Sequence, residues 1–408
     1  MPAYIGVNGK AKAIAKVYKG DSNGKAQLIW GPRGIVKYTG NIVDLSVGRY
    51  WIEATTVGNY ALFGGGVSGY NNNYTYHSTV DAYDTSLTRT TSTSLSKGRD
   101  MFAATTVGNY ALFGGGSTND TYYSTVDAYN TSLTRTTATS LSKGRNVLSA
   151  TTVGDHALFG GGFGNTSRGG KNYLSTVDAY NTSLTRTTAT ALSAARYKMS
   201  ATTVGNYALF SGGSSSSVFA EIYDSSLTKI SNSYKFSKIS FGMMAASIEN
   251  YAIFAGGTTS SRIPPSASDQ YSDAIAFNEN LTNVSIKSLS SPRWNSAATN
   301  INKKYAIFSG DGDSNITSID AYDSELTLTT INSAFYNHCL NSVGTSINNY
   351  ALLAGSSSNS GWKRVIVFDI NLVKSIAPDL EDIGYYISAT SDTEKNMQYS
   401  RVDLNIME

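Results

Sequence analysis

Cysteine, histidine and charge are all scarce in this chain. A single cysteine, Cys339, leaves no intrachain disulfide framework and no cysteine-rich zinc site. Only three histidines are available as soft metal ligands: His77, His156 and His338. Charged residues make up 15% of the 408 positions and the formal net charge is +3, so there is no basic footprint of the kind nucleic acid requires. No apolar run reaches the length needed to cross a bilayer. The opening residues, Met1 to Gly6, lack the basic segment and apolar stretch of a signal peptide, so the expected route is synthesis in the cytoplasm without secretion.

What the chain has in abundance is repetition. Tyr60-Ala61-Leu62-Phe63-Gly64-Gly65-Gly66 returns from Tyr110, His156 and Tyr207, and in decayed form from Tyr251, Tyr305 and Tyr350. The start-to-start spacings are 50, 46, 51, 44, 54 and 45 residues. A period near 40 to 50 residues marks an array of small β units. Within residues 99–145, Phe102 to Val107 and Tyr110 to Phe113 read as two strands joined by Gly108-Asn109. Thr125 to Tyr129 and Leu133 to Thr139 read as a third and fourth, with Asn130-Thr131-Ser132 as the turn between them. Four antiparallel strands per unit, seven times over, predict an all-β fold of propeller type. In the second strand Ala111 and Phe113 share one face and Leu112 takes the other.

These motifs resemble the kelch repeat: a hydrophobic strand ending in Gly-Gly, then Val80-Asp81-Ala82-Tyr83-Asp84, then a turn before arginine. Leu289-Ser290-Ser291-Pro292-Arg293-Trp294 is the nearest match to the kelch inter-blade turn. The late tryptophan of kelch is missing, and Thr-rich strands such as Thr88 to Thr93 stand in its place. The resemblance covers about residues 33–378. Eight blades with one degenerate closing blade is the favoured count, because Val36 to Ser46 and Ile383 to Ser391 look like orphaned strands that complete each other; seven is the alternative. The expected domains are therefore 1–32 and 33–408.

Residues 1–32 follow a different pattern, with Asn8-Gly9 and Asn23-Gly24 each between short β-prone runs, the signal for a small β-hairpin module. This segment resembles the N-terminal module of phage-tail and prophage proteins from Gram-positive hosts. In them it precedes a kelch-like head carrying the phrase found here, almost verbatim, at Ser175 to Arg196. The resemblance implies a virion protein of a phage tail or baseplate, structural or receptor-binding. Residues 1–32 would attach to other tail proteins, and the propeller would contact a host-surface glycan or protein, with homo-oligomerisation open. The alternatives are an intracellular kelch adaptor for a protein partner and a carbohydrate-active enzyme.

Three residue sets are candidates for function. Arg49, Arg99, Arg145 and Arg196 each precede the repeat aromatic by eleven residues; Ser240 and Cys339 hold that register later, and Arg293 is displaced by one. Pairing with Asp81, Asp127 and Asp178 on the third strands would make them inter-blade staples; a ring of arginines at the mouth would bind an anion. The loops after the glycine triplets differ most between near-identical units, and a rigid scaffold displaying variable loops is where binding residues gather. They offer Tyr70, Asn72, Tyr74, Tyr76, Asn119, Tyr122, Tyr123, Arg168, Lys171 and Tyr173. Asp311, Asp313 and Asn315 have the spacing of a calcium loop but no closing glutamate, and read first as a turn. Neither a catalytic constellation nor a cofactor site is expected: the Tyr/His cluster of kelch copper oxidases is absent, as is a Gly-x-Ser-x-Gly elbow.

Overall fold

A computed structural model describes residues 3–7, 10–14, 17–20, 26–30, 42–70, 73–119, 121–165, 170–213, 220–230, 240–260, 265–309, 318–332, 342–355, 363–370 and 374–376. The described residues are almost wholly β, with one short 3-10 turn at Ala267–Asp269. They form seven four-stranded antiparallel sheets. In chain order the first strands of sheets I to VII are Glu53–Val57, Ala103–Val107, Ser149–Val153, Met199–Val204, Met244–Ile248, Ala298–Ile301 and Val343–Ile347. Each continues into a second strand carrying the repeated aromatic, then a third and a fourth, as in Ala103–Val107, Tyr110–Gly114, Val126–Asn130 and Arg135–Ala138 of sheet II. Leu133 is expected inside the fourth strand but sits in the turn before it, at φ 59°; the Asn130 side chain accepts the N–H groups of Ser132 and Thr134 and tightens that turn.

The second strands are apolar throughout because both faces are covered. Phe113 and Ala111 pack backward on Leu62, Val57 and Val80 of sheet I, while Leu112 packs forward with Ala157 and Phe159 of sheet III. The first glycine of each triplet makes room for this: a Cβ on Gly64 would come within 3.1 Å of the Phe113 ring. The third allows backbone contact, since a Cβ on Gly116, at φ 98°, would meet the Asp100 carbonyl at 2.7 Å. Six such interfaces join sheets I to VII in order. A seventh joins VII to I, where Leu352, Val365 and Val367 pack with Ile52, Phe63 and Tyr83 under a cap of Ile42 and Leu45.

The first strands line the axis and bond around it. Thr55 pairs with Thr106, Thr105 with Thr152, and Thr151 with Thr203 through their hydroxyls at 2.8–2.9 Å. Thr106, Thr152 and Thr203 also donate to the carbonyls of Thr56, Thr106 and Thr152. The recurring Ala-Thr-Thr-Val phrase is thus a side-chain ladder between sheets, in addition to its strand propensity.

The direct packing of Val343–Ile347 against Glu53–Val57 is the contact that an interposed eighth sheet would have to break. Residues 36–41 and 383–391, from which a closing blade was expected, lie outside the described residues. Near the N-terminus Ala3–Val7 pairs with Lys10–Ile14, and Val17–Gly20 with Ala26–Trp30.

Candidate functional site

The predicted arginines come first, because their position sets the geometry of everything near the mouth. Arg49 lies 2.9 Å from Asp81, Arg99 2.9 Å from Asp127 and Arg145 2.8 Å from Asp178, with no exposure of either side chain. Two further pairs complete the set, Arg196 with Glu221 at 2.9 Å and Arg293 with Asp320 at 2.8 Å. Neither carboxylate was picked out from the sequence, although Asp320 sits in a Val-Asp-Ala-Tyr-like phrase that could have shown it. Each arginine leads into the sheet whose carboxylate it holds, and in four of them the backbone carbonyl takes an N–H from the preceding sheet: Gly66 to Arg99 at 2.9 Å, Gly116 to Arg145 at 2.8 Å, Gly162 to Arg196 at 2.9 Å and Gly257 to Arg293 at 2.7 Å. The residue therefore binds one sheet through its backbone and the next through its guanidinium. Burial pulls these guanidinium groups below their ordinary pKa, opposed by the paired carboxylate. They are closed to solvent, which removes them as a ring for an anionic ligand.

The variable loops fold back as hairpins, Val67–Tyr70 on Asn73–Tyr76 and Phe163–Asn165 on Lys171–Tyr173. Each hairpin is pinned to the arginine turn of its own unit, by Tyr50 against Val67, Asp100 against Ser117, and Arg145 and Asn146 against Gly164 and Phe163. The hairpins and the turns consequently share one face of the ring. On it the Tyr76 hydroxyl donates to Asn119 Oδ1 at 3.1 Å and accepts the Asn119 N–H at 2.8 Å, tying the first two hairpins together. The Tyr123 hydroxyl bonds Thr118 at 2.9 Å and its ring lies under Lys97. Tyr122 meets Phe163 edge-on at 5.6 Å, Phe163 meets Tyr173 at 5.7 Å, and Tyr173 stacks on Tyr197 at 4.8 Å. Tyr74 and Tyr173 are exposed, Tyr173 to 42%. Tyr70 and Lys171 belong to the hairpin strands. Asn72 and Arg168 lie outside the described residues, as do Asp311, Asp313 and Asn315. Among the described residues no group of three His, Cys, Asp or Glu side chains is placed to hold a metal ion.

Sequence reasoning missed the mouth itself. Two residues after each arginine position the backbone turns left-handed: Trp51 at φ 52°, Met101 at 52°, Val147 at 50°, Lys198 at 55°, Gly242 at 58° and Asn295 at 49°. The cause is a hydrogen-bond chain around the axis. Val147 N–H donates to the Met101 carbonyl at 2.7 Å, Lys198 to Val147 at 3.2 Å, and Asn295 to Gly242 at 2.7 Å. All six residues line an axial cavity of about 350 Å³ together with the first strands. The ring dictates their backbone, while the residue type changes in every unit although units I to IV share the arginine before and the Ala-Thr-Thr phrase after the position. That contrast was the available signal. Glu53 also lines the cavity. Burial pushes its carboxyl up to about 8.

No protein-family model and no curated protein matches the chain. Among solved structures it is similar to that described as "Structure of YjhT", with a TM-score of 0.52 and 10% identity, covering 82% of this chain and 99% of that one. At this identity the likeness concerns the fold, a propeller-like all-β ring.

Proposed function

We propose that this chain is a non-enzymatic binding protein of a phage tail or baseplate, whose kelch-like propeller offers its hairpin-bearing face to a host-surface glycan. The propeller is read as seven-bladed, since seven interfaces already return to their starting sheet; eight was the count favoured from the repeats. Residues 1–32 are read as the attachment module for other tail proteins.

The aromatic file Tyr122, Phe163, Tyr173 and Tyr197 carries the glycan reading. It crosses successive units on the outer face and includes the exposed Tyr173. Flat, rigid aromatic surfaces contribute contact area at little entropic cost, and hydroxyl and amide neighbours supply adaptable hydrogen bonds. The buried charges of the ring are engaged in structural pairs, which supports a binding role over a catalytic one. The adaptor reading, in which a protein occupies the same face, has no observation of its own to favour it.

The test is binding of the purified chain to wall polymers of Gram-positive cells, immobilised as an array, alongside Tyr173→Ala. Retention of one polymer, weakened about tenfold or more in the variant, is expected. Absence of the protein from intact particles would defeat the virion reading, and turnover of the polymer would defeat the non-enzymatic one.

A further inference from the structure

The axial cavity holds two charge-bearing side chains, Glu53 and Lys198. They belong to sheets I and IV, three apart in a ring of seven, and so occupy opposing walls. Neither has an ion-pair partner among the described residues; Lys198 Nζ lies only over the Tyr197 ring, 5.8 Å from its centroid. Burial raises the Glu53 carboxyl to about 8 and lowers the Lys198 ammonium, so each is driven toward its neutral form. Nothing in the repeat asks for charge there. The positions equivalent to Glu53 are Ala103, Ser149, Ser200, Met244, Ala297 and Val343, and those equivalent to Lys198 are Trp51, Met101, Val147, Gly242 and Asn295. Between the two walls the lining mixes apolar Trp51, Met101 and Met243 with polar Ser200, Asn295, Ser296 and Ser342. Both side chains are half-buried, and two partly desolvated charges of opposite sign on facing walls are best satisfied by a ligand that pairs with each.

We propose that the axial cavity binds a small zwitterion of amino-acid type, its carboxylate toward Lys198, its ammonium toward Glu53 and its apolar middle against Trp51 and Met101. This site is separate from the outer aromatic face and stands whether or not that face binds a glycan.

Calorimetric titration of the full chain at pH 7 with glycine, 4-aminobutyrate, 6-aminohexanoate and 8-aminooctanoate tests it, with hexanoate and hexylamine as single-charge controls. One chain length should bind about tenfold or more tighter than either control, the span of the cavity choosing which. Its binding should be linked to protons, read from the dependence of the heat on buffer ionisation: Glu53 releases one to meet the ammonium, less any taken up by Lys198 to meet the carboxylate, and Glu53→Gln should abolish the release. Glu53→Gln should lower the affinity to that of hexanoate, and Lys198→Met to that of hexylamine. The proposal is overturned if no member of the series binds, if hexanoate equals the best amino acid, or if Glu53→Gln changes neither the affinity nor the proton release.

Discussion

Arg145 and Asp178 face each other at 2.8 Å with no solvent on either side chain, and they exist as a unit. Asp178 also accepts from Ser142 and from Arg186, so both of its oxygens are satisfied. Sheet V shows what happens when the unit is lost: Ser240 stands for the arginine and Ile275 for the aspartate. In the seventh repeat Cys339 and Ile366 make the same exchange in the sequence. The tyrosine after the carboxylate changes as well. Tyr180 donates its hydroxyl to Thr139, whereas Phe277 and Phe368 have none to give. A buried charge is kept only with its partner, and an apolar substitute must replace both.

Arg145→Ala alone is therefore expected to cost up to about 3–5 kcal/mol, since it leaves the buried Asp178 carboxylate with the partly exposed Arg186 as its remaining cation. Arg145→Ser combined with Asp178→Ile, which copies sheet V, should recover a large part of that loss. Urea denaturation midpoints of the three proteins decide it. A double variant no better than the single one would show that the pair is not exchangeable.

Phe113→Ala is expected to destabilise by about 3–5 kcal/mol. Its ring lies between sheets I and II, edge-on to Phe102 and Tyr129 at 6.0 and 5.7 Å. An unchanged denaturation midpoint would place the ring outside the core.

Val147 is a β-branched residue held at φ 50°. That region costs an L-residue about 1–2 kcal/mol, and Asn tolerates it better than Val. Val147→Asn should raise stability by about 1 kcal/mol on the same assay, while changing one wall of the cavity. A loss of stability would mean that the valine's packing outweighs its strain.

Glu53 makes stability depend on pH. Its folded value, about 8, lies above the ordinary 4.5, so the folded state holds the proton longer than the unfolded chain does. Its contribution is complete below about pH 4.5 and is lost as pH rises toward 8. Glu53→Gln should match the parent near pH 4.5 and exceed it progressively up to pH 8, by a few kcal/mol at most, on the order of 3–4. Melting temperatures of both proteins across that interval check the sign, and parallel profiles would rule the effect out.

The repeat architecture was readable in the chain because its signals are local. Ala111, Leu112 and Phe113 declare a strand with two covered faces, and Gly114 to Gly116 declare where it ends against a neighbour. The partnership of Arg99 with Asp127 was readable too, since both recur in fixed register with the strands that carry them. Glu221 was hidden by a change of residue type within a decayed third strand. The mouth was hidden for another reason. Trp51, Met101, Val147 and Lys198 share no chemistry, and nothing in a single unit says that residues about fifty apart meet.

Periodicity, strand pattern and turn chemistry suffice to specify seven similar sheets, because each depends on neighbours a few residues away. Where the ring joins, which end carries the hairpins, and the meeting of Glu53 and Lys198 across one cavity are matters of closure. They arise only when Val343–Ile347 packs on Glu53–Val57 and converts a linear order of units into a circle with an axis.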